Sequence, residues 1–163
     1  MRAIVSTFAV ILSVYASSEV VGQVYGNVYD QSGASEAKIN VAIDLVTSQV
    51  ENVSSLEAAD CVIANALLVG GGEGMSQAGI DGAFFTTDVW TELYKREINQ
   101  NTASFSVIMA KVQKENSLML PNQGVDMSLV RKTANECNTK VSVAMAKAKQ
   151  LALAAKSESG RAK

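Results

Sequence analysis

Residues 126–156 read DMSLVRKTANECNTKVSVAMAKAKQLALAAK, and their periodicity decides how the chain must fold. Met127, Val130, Ala134, Cys137, Val141, Met145 and Ala148 recur at steps of three and four, which places them along one side of an α-helix. A helix patterned this way needs another element to lie against. Cys137 stands in that apolar side. The only other cysteine, Cys61, stands in Ala58 to Val69, a second stretch with apolar residues at helical spacing. The rest of the chain is read as what brings these two helices together.

The amino end has the spelling of a secretory leader. Met1 and Arg2 give a short basic start, Ala3 to Val14 is mostly apolar, and Val14-Tyr15-Ala16 supplies a small-residue cleavage pattern before Ser17. Residues 1–16 are therefore expected to be removed. An apolar run this short falls below the roughly 20 residues a bilayer span requires. No later stretch reaches that length without charges, so the expectation is a secreted, extracellular chain with no stable membrane insertion. In an oxidising compartment two cysteines most simply form one intrachain disulfide, Cys61 to Cys137, the rival being a bond to another chain.

Residues 17–34 hold a tandem Gly-x-Val-Tyr, at Gly22 to Tyr25 and again at Gly26 to Tyr29. Two copies build no solenoid, and the segment is read as an extended arm. Asp30, Ser32, Gly33 and Ser35 then offer turn and capping groups. From Ser35 to Val53 the residues Ile39, Ile43, Val46, Val50 and Val53 step by four and three, the spacing of a helical seam. Ser54-Ser55-Leu56-Glu57 is a capping-box spelling that predicts a second helix over Leu56 to Val69, although a continuous helix through it is also compatible with the sequence. Gly70 to Gly74 ends that helix.

A third helical stretch runs from Thr87 to Val112, with Thr86, Thr87 or Asp88 as its cap. Whether Asn99 to Thr102 interrupts it is open at this level, because such residues tolerate both states. Pro121 to Gly124 makes a turn into the last helix. The fold expected is all-α: an antiparallel bundle of four or five helices over residues 35–156, followed by a polar tail at 157–163.

Charge is unevenly distributed. Ser17 to Glu92 holds eleven acids against one base, Lys38, whereas Leu93 to Lys163 holds twelve bases against five acids. A weakly acidic total argues against a nucleic-acid binder. The asymmetry suits early helices packed on late ones, and it equally suits head-to-tail association of separate molecules.

There is no histidine in the chain. Imidazole is the usual base and ligand near neutral pH, so Ser/His/Asp and Cys/His nucleophile systems and ordinary catalytic zinc sites are excluded. Ser35-Glu36-Ala37-Lys38 has the Ser-x-x-Lys spelling of penicillin-recognising enzymes but lacks their companion elements, and Ser35 is read as a helix-start residue. The glycine run lacks the Lys-Ser or Lys-Thr of a phosphate loop. No catalytic residue, cofactor site or metal site is assigned.

Asn52-Val53-Ser54 is an N-glycosylation acceptor, which secretion would make usable. Phe84, Phe85, Trp90 and Tyr94 form the one aromatic concentration, with Met109 and Met145 adding adaptable sulfur side chains. These six could line a site for an apolar ligand between helices, or simply pack as core. Two functions are carried forward. One is a secreted, non-enzymatic structural or protein-interaction domain, acting through an unidentified protein partner or through self-association. The other is an extracellular carrier of an apolar small molecule such as a lipid.

Overall fold

The computed structural model describes residues 36–70, 76–119 and 124–161. The leader, the arm, most of the glycine run and Pro121 to Gln123 lie outside them. Five helices make up the described residues, with no strand pairing into a sheet. These are α1 (Glu36–Thr47), α2 (Ser55–Gly70), α3 (Gln77–Glu97), α4 (Phe105–Glu115) and α5 (Met127–Arg161).

The centre is α2. Cys61, Val62, Ile63, Ala64 and Asn65 are all buried, and five consecutive residues go once around a helix, so α2 is enclosed on every side. It packs most extensively on α3, and also on α5 and α4. Small residues at Ala58, Ala59 and Ala64 let those neighbours approach closely. Around it the core is filled by Phe85, Trp90 and Tyr94 of α3, Ile108 and Val112 of α4, and Val130 and Val141 of α5.

The cysteines of α2 and α5 are at disulfide distance, their Cα atoms 5.7 Å apart across a sequence separation of 76. One turn away Lys140 meets Glu57. The partner of the later α5 residue is thus the earlier α2 residue, which makes these two helices antiparallel.

Several boundaries differ from the sequence expectation, each for a local reason. Helix α1 stops at Thr47 and does not reach Val53. Thr47 Oγ1 donates to the Asp44 carbonyl at 3.0 Å and Ser48 Oγ to the Leu45 carbonyl at 2.7 Å, side-chain bonds that compete with helix continuation. Val50 and Val53 still pack on the core, from a non-helical connection. Half of the capping box forms: the Glu57 N–H donates to Ser54 Oγ at 3.1 Å and α2 starts afresh, while the Glu57 carboxylate turns to Lys140.

The third helix begins well before Thr87. Ser76 caps it by accepting from the Gly79 N–H at 3.1 Å. Thr86, Thr87 and Asp88, the expected caps, lie inside it, and Thr87 and Thr91 return their hydroxyls to the carbonyls four residues back at 2.8 Å. The Asn99 to Thr102 stretch does break the helix, with Asn99 at a φ of 54°, a left-handed conformation that asparagine tolerates better than most residues. Gly124, ahead of α5, has a φ of 73°, a conformation glycine adopts without steric cost, while the rest of the expected turn lies outside the described residues. Asp126 then caps that helix through the N–H of Ser128 at 2.9 Å. The last helix runs on to Arg161, so most of the segment expected as a polar tail is helical. An alanine- and lysine-rich sequence with no proline favours that extension.

Candidate functional site

The described polar groups converge most clearly where α2, α3 and α4 meet. Glu115, the last residue of α4, takes the Tyr94 hydroxyl of α3 on Oε2 at 2.7 Å and the Ser55 hydroxyl of α2 on Oε1. Tyr94 is buried. Its phenol is pushed up to about 12 by desolvation first, then by the hydrogen bond to Glu115 and by that carboxylate's charge. One carboxylate therefore ties three helices together through two hydroxyls.

Beside this node lies an open cavity of about 410 Å³, lined by Tyr94, Ile98, Lys111, Lys114 and Glu115. Ile98 gives it an apolar wall, and the two lysines, three residues apart on α4, lie on the same side of their helix. Of the six aromatic and methionine residues singled out in the sequence, only Tyr94 reaches this cavity. Phe85 and Trp90 are core residues, Trp90 fully buried, while Phe84 is 53% exposed on the other side of α3. Met109 and Met145 are half-buried against the core, on α4 and α5. Nothing in the sequence pattern marks Glu115, Ser55, Lys111 or Lys114. Glu115 lies 21 residues from Tyr94 and 60 from Ser55, so only the tertiary fold joins them.

Asp88 is the other perturbed group. Its carboxyl is raised to about 6, first by burial and then by the nearby charge of Glu92, with Lys95 acting in the opposite direction. A carboxyl tuned to that range could exchange protons near neutral pH. Four and seven residues separate it from Glu92 and Lys95, so the three form a stripe along α3. Lys95 is ion-paired with Glu92.

Asn52 is exposed, in the connection between α1 and α2, with a φ of 54°. It lies outside both helices, although the seam expected from Ser35 to Val53 would have made it helical. The hydroxyl of Ser54, the third residue of the acceptor, is engaged as the α2 cap. Three buried polar atoms, Asn65 Oδ1, Thr86 Oγ1 and Trp90 Nε1, have no hydrogen-bond partner among the described residues.

Among the described residues no three His, Cys, Asp or Glu side chains converge to hold a metal ion, and no helix is long and apolar enough to cross a membrane. No protein-family model, curated protein or solved structure gives a significant match to this chain. What its own residues define is an all-helical domain around a central helix, with its two cysteines at disulfide distance.

Proposed function

We propose that this chain is a secreted, non-enzymatic structural or protein-interaction domain, an antiparallel five-helix bundle fastened by the Cys61–Cys137 bond. One contrast carries the reading. The large aromatic side chains Phe85, Trp90 and Tyr94 are packed into the core, whereas Val41, Leu45, Phe84, Phe105 and Leu151 stand exposed on four different helices. Of these, Val41 and Leu45 stand one helical turn apart on α1 and adjoin into a small apolar ridge of the kind at which protein surfaces meet. A glycan on Asn52 belongs to the same reading, since the residue stands exposed in a connection. Loss of mass on enzymatic deglycosylation, absent in Asn52→Gln, tests it.

Sedimentation velocity of the purified protein over a concentration series, at low and high salt, tests the main reading. Concentration-dependent association that weakens with salt supports it. A monomer at every concentration that also captures no protein from the fluid it is secreted into overturns it.

The cavity beside Tyr94 supports a second reading, an extracellular carrier of an apolar small molecule, because about 410 Å³ lies within the range of ligand sites. The heat of calorimetric titration with a fatty acid should then saturate at a fixed stoichiometry. No saturable change across fatty acids, sterols and hydrophobic dyes removes it.

A further inference from the structure

The cavity beside Tyr94 has an apolar side and a cationic side. Tyr94 on α3 and Ile98, which caps the end of that helix, stand one turn apart. Tyr94 is buried and forms the inner end of the lining, while Ile98 is half-buried against the core. On the α4 side, Lys111 and Lys114 supply two ammonium groups, and Glu115 supplies the one carboxylate of the lining.

That carboxylate is already committed. Its two oxygens accept from the Tyr94 and Ser55 hydroxyls, which hold it towards α2 and α3. Tyr94 adds no charge at neutral pH, because its phenol is pushed up to about 12. Neither Lys111 nor Lys114 has a carboxylate partner among the described residues, whereas Lys95, Arg96 and Lys140 meet Glu92, Asp44 and Glu57. Lys111 is half-buried and Lys114 exposed. Lysines so placed lay their aliphatic stems along apolar surface and keep their ammonium groups at the water edge. Two like charges three residues apart on one helix also repel each other, and a bound anion relieves that repulsion.

We propose that this cavity binds a small amphiphilic anion, an alkyl carboxylate of the fatty-acid class, with its head held by Lys111 and Lys114 and its chain laid along Ile98 and the lysine stems. This rests on the carrier reading of the cavity and names the ligand class and the residues that select it. A volume of about 410 Å³ suits a small ligand. A neutral sterol gains nothing from the ammonium pair, and inorganic phosphate gains nothing from Ile98. The fixed Glu115 charge disfavours an anion of higher charge beside it.

The test titrates the full-length protein with octanoate and with octan-1-ol, which share a chain and differ in the charge of the head. Octanoate should give a calorimetric signal that reaches equimolar saturation and weakens as salt rises. Octan-1-ol should bind at least about tenfold more weakly. Lys111→Gln with Lys114→Gln should lower octanoate affinity at least about tenfold and leave that for octan-1-ol unchanged. Lys111→Arg with Lys114→Arg keeps both charges and should retain octanoate binding. Neither lysine has a described ion pair to lose, so both variants should keep the wild-type circular dichroism and melting profile. If octan-1-ol binds wild type as well as octanoate does, or the glutamine variant keeps the octanoate affinity, the charged site is overturned and the carrier reading stands. If wild type binds neither, this site is overturned, and the carrier reading falls with it only when sterols and hydrophobic dyes fail as well.

Discussion

The Tyr94 hydroxyl donates to Glu115 Oε2 at 2.7 Å, while Ser55 holds the other oxygen of the same carboxylate. The last residue of α4 is thereby fixed to the middle of the domain by a buried phenol. A charged acceptor makes this bond stronger than a neutral one, and it lies at the edge of the cavity where Lys111 and Lys114 stand.

Removing that hydroxyl tests how firmly α4 is held. Tyr94→Phe leaves the ring in place and Ser55 still bonded, so the loss should be about 1–3 kcal/mol, read from urea unfolding. In the wild type Tyr94 should ionise late. Absorbance titration should show one tyrosine still neutral well above pH 10, consistent with a phenol pushed up to about 12. A phenol whose folded pKa is raised stabilises the fold fully below its ordinary value, so this contribution fades as pH climbs from 10 towards 12.

Asp88 gives a pH dependence of the same sign at the acid end. Its carboxyl titrates near 6 in the folded chain against 3.8 when exposed. The folded state holds the proton more tightly, so the contribution is complete below pH 3.8 and is lost as pH rises through 6. Asp88→Asn should therefore raise stability at pH 7 by on the order of 2 kcal/mol and change little at pH 4. Variant-minus-wild-type unfolding free energies at the two pH values check it, since the other titrating groups cancel. Equal effects at both pH values would count against this account.

Cys61 of α2 and Cys137 of α5 lie at disulfide distance with a sequence separation of 76, and a bond between them would close that loop. Replacing both cysteines by alanine, or reducing the bond, should lower stability by about 4 kcal/mol, chiefly by freeing the unfolded chain. Denaturant midpoints with and without reductant measure it. The Lys140–Glu57 pair should persist, because the same helices still pack through Ala134 and Val141.

Thr86 is buried, and its hydroxyl has no partner among the described residues. Thr86→Val keeps the shape and removes the desolvated polar atom, so it should be neutral or stabilising by up to about 1 kcal/mol. A loss of more than about 1 kcal/mol in the melting analysis would mean that the hydroxyl is bonded in solution.

The sequence alone determined that the described chain is helical and which sides of its helices turn inward. Val130, Ala134, Cys137, Val141 and Ala148 declare their common face through spacing, because a helix has a fixed pitch and water drives that face inward. Around Cys61 the spacing marked a helix, and that this helix is enclosed on every side came from the tertiary structure. Local chemistry was less legible: the hydroxyls of Thr87 and Thr91 can end a helix or bond back within one, and spacing does not choose between these. Only the tertiary structure decided that Tyr94, Ser55 and Glu115 meet, that Phe84 faces outward beside a buried Phe85, and that Leu151 keeps the core register where the core has stopped. The physical reason is common to all three. Periodicity records the direction in which a side chain points relative to its own helix, whereas contact and burial depend on where neighbouring helices lie and where they end.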